Sequence, residues 1–103
     1  MKIERHRFAV RTSTPPTIEV DTEAEAIYVR FKKGKVAKTV PRESEEMHIA
    51  VDLDSKGEVI GIEAVGMSEF TLRTILEKAL VDAPEDVDYS KARYVPSSLV
   101  LAS

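Results

Sequence analysis

Alternating apolar and polar residues predict a run of β-strands over the first two thirds of the chain. From Ala26 to Lys32 the alternation has a period of two and places Ile27, Val29 and Phe31 on one face. This pattern is typical of a strand with one buried and one solvated face. Further strands are predicted at Lys35–Val40, Met47–Asp54 and Glu58–Val65, with a shorter extended segment at Thr17–Val20.

Two turns are predicted to join neighbouring strands as hairpins. Lys33-Gly34 and Asp54–Gly57 each contain a glycine, which readily adopts the positive φ of tight turns. The second turn sets a register that pairs Leu53 with Glu58, Val51 with Ile60, Ile49 with Ile62, Ala50 with Gly61 and His48 with Glu63. That register gathers the apolar residues on one face. The small Ala50 and Gly61 leave a dent on the other face, where a terminal segment or a second subunit could approach.

A helix follows the strands. Its apolar residues are spaced for a single stripe that faces a sheet, and they are Leu72, Ile75, Leu76, Ala79 and Leu80. Ser68 is a candidate amino-terminal cap. The helix is predicted to end near Asp82-Ala83-Pro84, because proline disfavours helical geometry in the residue before it.

These elements predict the α+β class: an antiparallel β-meander of about four strands with one main helix packed on one face. The 103 residues, of which 43% are hydrophobic, suit a single domain. We expect a core at residues 17–82, an amino-terminal arm at 1–16 and a carboxy-terminal extension at 83–103. The extension carries enough apolar residues that we expect it to pack on something.

Composition excludes some kinds of site and indicates where the protein is located. The chain has no cysteine, which excludes a disulfide framework and a thiolate zinc site. Its apolar runs are far shorter than a membrane span, and its first residues do not resemble a signal peptide. We therefore expect a cytoplasmic protein that does not enter a membrane.

The net charge of −3 conceals a division along the chain. Residues 1–42 hold ten Lys and Arg against five Asp and Glu, whereas residues 43–103 hold five against thirteen, so the parts carry +5 and −8. Opposite charges in one small domain favour attraction between strands or between chains. The acidic total and the scarcity of aromatic residues among the basic ones argue against binding of nucleic acid.

Two blocks of the sequence resemble a small prokaryotic family known as domain of unknown function 2283. Residues 18–30 read I-E-V-D-T-E-A-E-A-I-Y-V-R and residues 51–65 read V-D-L-D-S-K-G-E-V-I-G-I-E-A-V. In the family the first block has tyrosine where Val20 stands and aspartate where Glu25 stands. The resemblance covers residues 18–68 and implies a β-meander followed by a helix, with no established activity. The family's frequent gene neighbours, small toxin-like ribonucleases, imply an antitoxin or immunity role as an alternative.

One sequence pattern partly matches a calcium-binding loop. Asp52, Asp54, Gly57 and Glu63 fall at loop positions, but Lys56 stands where an oxygen ligand is needed. Calcium loops of this kind lie between helices, whereas both flanks here are predicted strands. A polar hairpin turn explains these residues better, and we assign no metal, cofactor or catalytic residue.

Two other polar groups are candidate functional or structural residues. His48 and Glu63 are a predicted cross-strand pair, while Asp21 and Glu25 form an acidic turn near Tyr28 and Arg30. Asp21 is a candidate cap for that turn. Acid–base catalysis would need a pocket and an orienting group that the sequence does not supply.

We therefore expect a non-enzymatic protein-interaction module that forms a homodimer, because one helix covers only one face of a sheet. A small protein partner, as an antitoxin would have, is the first alternative. The second is a small enzyme that uses the acidic turn or His48 and Glu63.

Overall fold

The α+β class with a single helix packed on a mostly antiparallel sheet is confirmed in a computed structural model, which describes residues 7–12, 14–21, 23–42, 48–66, 71–84 and 93–96. The strands are β1 (Phe8–Ala9), β2 (Thr17–Asp21), β3 (Ala26–Arg30), β4 (Lys38–Pro41), β5 (His48–Leu53), β6 (Val59–Val65), β7 (Val81–Asp82) and β8 (Arg93–Pro96), and the helix is α1 (Leu72–Ala79).

The main sheet has the strand order β4-β5-β6-β3-β2-β8. Its first five strands are antiparallel to their neighbours, where the sequence predicted about four, and β8 adds a parallel sixth strand beside β2. The predicted Lys33-Gly34 hairpin is wrong. After β3 the chain passes to the far edge of the sheet as β4, and β6 takes the place next to β3.

Burial explains why β6 is central. Ile60, Ile62 and Ala64 are fully buried in it and Glu63 is its only exposed residue. The backbone N–H and C=O groups of so buried a strand are shielded from water and need hydrogen-bond partners on both edges. By contrast, β4 is mostly exposed and ends in Pro41, which suits an edge strand because proline cannot donate to a ladder.

The β5–β6 register differs by two residues from the predicted one. Val51 pairs with Ile62 and Asp52 with Gly61, whereas Leu53 pairs with Val59, which leaves Ile60 as the extra residue of a bulge. From His48 to Asp52 the shift of two keeps each side chain on its predicted face. Beyond the bulge the shift is one, so Val59 joins Leu53 on the apolar face, whereas Ile60, which was predicted there, is buried outside that core cluster.

The core lies between that apolar face and α1. From the helix, Ile75 and Ala79 are fully buried against it. Thr71 caps the helix through a hydrogen bond from Thr74 N to its Oγ1 at 3.1 Å. The cap is thus Thr71 and not Ser68, which lies outside the described residues.

Parts of both terminal segments pack on this unit. In the amino-terminal arm, β1 pairs in parallel with β7, and Arg7 Nη2 lies 2.6 Å from Asp82 Oδ1. In the carboxy-terminal extension, β8 pairs with β2. No helix in the described part of the chain is long and apolar enough to cross a membrane.

Candidate functional site

Polar side chains cover the face of the sheet opposite α1, and Tyr28 lies at their centre. Its ring lies over Gly61 on the neighbouring strand β6, where an added Cβ would come within 2.5 Å of the phenol oxygen. Tyr28 fills the predicted dent, where the sequence led us to expect a terminal segment or a second subunit. Gly61 therefore permits the close approach of a side chain from its own sheet.

The Tyr28 hydroxyl continues across Gly61 to β5. It donates a hydrogen bond of 2.8 Å to Asp52 Oδ2, and Thr39 Oγ1 on β4 donates one of 2.7 Å to Asp52 Oδ1. Burial, and then the hydrogen bond to Asp52, raise the pKa of Tyr28 above its usual value. The phenol therefore stays protonated near neutral pH and acts as a donor rather than a base.

On the other side of Tyr28, an ion pair joins β3 to β2. Arg30 Nη2 lies 3.2 Å from Glu19 Oε2, and the Arg30 guanidinium lies 4.9 Å from the centre of the Tyr28 ring. The Glu19 side chain is only 8% exposed, so its carboxylate needs this partner. Glu19, Arg30, Tyr28, Asp52 and Thr39 thus form one polar network across the sheet.

An open groove of about 360 Å³ lies beside this network. Its polar lining residues are Glu19, Asp21, Tyr28, Arg30 and Glu63. In the described residues no group of three or more His, Asp or Glu side chains is placed to hold a metal ion. The groove is thus lined by three carboxylates and one guanidinium, and Arg30 already pairs with one of those carboxylates, that of Glu19.

A second polar cluster ties β3 to the β5–β6 turn. Lys32 Nζ lies 2.6 Å from Asp54 Oδ2 and 3.4 Å from Glu58 Oε1. Asp54 Oδ1 also accepts hydrogen bonds of 2.9 Å from the backbone N–H groups of Lys56 and Glu58. The Lys32 ammonium first, and then these N–H groups, lower the pKa of Asp54 to about 2.

These contacts describe a polar turn and not a calcium loop. Asp52 lies in β5 and Asp54 in the turn after it, and they bind different partners, Tyr28 and Lys32. Gly57 has φ of 80°, as such a turn requires. Glu63 lies across the sheet, opposite Ala50 and Tyr28.

The remaining predicted residues, Asp21, Glu25 and His48, make no contact with Asp52 or Asp54 among the hydrogen bonds described above. Asp21 Oδ1 accepts a hydrogen bond of 3.1 Å from Ala24 N in the turn after β2, as a cap would. Glu25 in the same turn has φ of 50°, and its carbonyl accepts a hydrogen bond from Gly66 N. The predicted pairing of His48 with Glu63 is wrong, because exposed His48 lies opposite Val65.

Sequence reasoning missed Glu19, Thr39 and Lys32 as members of these clusters. Glu19 lies between Ile18 and Val20, so the period of two already placed it on the polar face. Its burial and its pairing with Arg30 follow from the position of β2 next to β3. They could be predicted only if the register of these two strands were known. Thr39 could be found only once β4 was known to pair with β5.

Comparison with known proteins identifies the family but no activity. No curated protein and no solved structure matches the chain. The family model described as "Protein of unknown function (DUF2283)" matches residues 17–68, which comprise β2 to β6 and confirm the resemblance seen in the sequence. With just over half of its length matched, the chain belongs to the DUF2283 family, whose function is unknown.

Proposed function

We propose that this protein is a cytoplasmic protein-interaction module that forms a homodimer and catalyses no reaction. The observation that carries the proposal is an open groove of about 630 Å³ between α1 and β7. Leu72, Leu76 and Val81 line it, together with Ala83 and Pro84. An apolar depression framed by charged residues is typical of a protein-binding surface.

The polar side of the sheet supports a structural role for its side chains. Asp52 accepts hydrogen bonds from Tyr28 and Thr39, while Glu19 binds Arg30. Asp54 is held by Lys32 and by its own turn. Carboxylates whose oxygens are engaged in such contacts stabilise the fold, which supports a structural role for them.

Sedimentation equilibrium of the full chain over a wide range of concentrations tests the proposal. We expect the mass of two chains, with dissociation on dilution. The mass of one chain at every concentration would contradict the homodimer.

A second candidate function is binding of a small protein with an acidic surface. Lys33, Lys35 and Lys38 are exposed along the segment that leads into β4, and Val36 between them is 44% exposed. An exposed apolar side chain among like charges suits an acidic partner. Replacing the three lysines with glutamate should abolish recovery of such a partner from the native host, whereas a partner recovered equally well by this variant would exclude the segment.

A further inference from the structure

The sheet buries only part of the apolar stripe of α1. Ile75 and Ala79 face the core, whereas Leu72 and Leu76 are only partly buried. Residues four apart lie one turn apart on the same side of a helix. Leu72 and Leu76 therefore form a short apolar ridge along the groove.

A charged ridge runs beside the apolar one. Arg73 and Glu77 are the next residues around the helix, with Arg73 Nε 3.8 Å from Glu77 Oε1. Their side chains are 88% and 71% exposed. Since the two ridges are parallel, a helix that covers Leu72 and Leu76 would also meet Arg73 and Glu77.

The charges around the groove cancel. Arg7 and Arg73 are balanced by Glu77 and Asp82, so the groove favours neither an acidic nor a basic partner. It fits a surface that presents the same charges in reverse order. A second copy related by a two-fold axis presents that surface, because such an axis brings residue i against j and j against i.

We propose that this groove is the dimer interface and is occupied by α1 of a second copy, antiparallel to the first. The inference rests on the proposed homodimer. In this arrangement Arg73 faces Glu77 of the partner subunit, and Leu72 faces Leu76 of the partner subunit. The midpoints of these two pairs fall at Ile75 and Thr74. These positions are only about 1.5 Å apart along the helix axis, so one two-fold axis between them brings both pairs into contact.

The edge strand β4 is less suited to symmetric pairing. Arg42 N donates to Ile49 O at 2.6 Å, so the alternation of an antiparallel ladder turns Pro41 towards the free edge. Pro41 has no N–H to offer there. Self-pairing of β4 would also bring two lysine-rich segments together, and like charges repel.

Two charge-reversal variants, Arg73→Glu and Glu77→Arg, test the interface. Each variant alone would place like charges at both symmetric contacts, so we expect its dissociation constant to rise about tenfold. An equimolar mixture of the two restores opposite charges at both contacts. It should form heterodimers with nearly wild-type affinity, detected by native mass spectrometry and sedimentation.

The mixture distinguishes repulsion between the two chains of the dimer from repulsion within one α1 helix. A like-charge pair inside α1 persists in every chain of the mixture, so only a contact between chains recovers. Lys56→Glu, an exposed residue of the β5–β6 turn outside the groove, is the control and should leave dimerisation unchanged, and circular dichroism checks that each variant folds.

The possible outcomes distinguish this inference from the proposed function. A wild-type dimer that both variants form equally tightly would overturn this interface but leave the homodimer standing. Weakened variants whose mixture does not recover would overturn the antiparallel arrangement. A wild-type monomer would overturn both proposals.

Discussion

Tyr28 and Gly61 depend on each other, because the ring can reach Asp52 only by crossing a residue without a side chain. The phenol donates to Asp52 at 2.8 Å, and Arg30 lies over the other part of the ring at 4.9 Å. A hydrogen bond to a charged group in a partly buried site contributes more than a bond between neutral groups. This single pair of residues therefore links β3, β6 and β5 on the polar face.

Gly61→Ala should lower the free energy of unfolding by about 1 to 2 kcal/mol. The new methyl group would displace the Tyr28 ring from Asp52 and from Arg30. Denaturant unfolding measures the loss. In a Tyr28→Ser background the same Gly61→Ala change should cost much less, because the ring is absent. Equal costs in the two backgrounds would show that the methyl group acts elsewhere.

At the residue scale, the period of two gave the correct faces except at the bulge, where Val59 and not Ile60 packs in the core, and it did not give the correct pairs. Tyr28, Arg30 and Asp52 were all placed on the polar side from the sequence alone. The partners depend on the bulge at Ile60, and the adjacent apolar residues Val59 and Ile60 do not show by themselves which of the two leaves the ladder.

At the element scale, the position of β4 is the main departure from the sequence prediction. The Lys33-Gly34 pair is a local turn signal, whereas the place of β6 is decided by the burial of a whole strand. Long-range burial outweighs local turn preference here. The apolar character of Val59–Val65 was visible in the sequence, and it would have favoured a central position for this strand.

The predicted hairpin after β3 is not formed, and Lys32 instead connects the end of β3 to the β5–β6 turn through its ion pair with Asp54. Because the pKa of Asp54 is lowered from 3.8 to about 2 in the folded state, protonation favours the unfolded state. This contribution is fully present above pH 3.8 and is lost as the pH falls towards 2. Acid should therefore loosen this contact.

Asp54→Asn should flatten the fall in stability over that pH interval. Denaturant unfolding at a fixed protein concentration and a series of pH values between 5 and 2 measures the change. Lys32→Met removes the same contact from the other side and should flatten the same interval, with little further change in the double variant. Curves parallel to the wild type would show that Asp54 does not carry this dependence.

At the scale of the whole molecule, strands from both terminal segments extend the unit that the family model matches. The match covers residues 17–68, while β1 and β8 come from the expected terminal segments and pair with β7 and β2. The sequence predicted that the carboxy-terminal extension packs on something, but not on what. A short parallel strand has no local signal that names its partner, since its register depends on distant residues.

Loss of β8 should destabilise the sheet, because β2 would become an edge strand. We compare a chain that ends at residue 96, which keeps β8, with one that ends at residue 92, which lacks it. The register joins Thr17–Val20 to Arg93–Pro96, and the backbone hydrogen bonds of so short a ladder are together worth about 2 kcal/mol or more.

We expect the shorter chain to unfold at a correspondingly lower denaturant concentration. We also expect it to aggregate more readily, because the uncovered edge of β2 is open to intermolecular pairing. Equal stability of the two chains would mean that β2 does not need a sixth strand, and that the antiparallel sheet of the family unit is sufficient by itself.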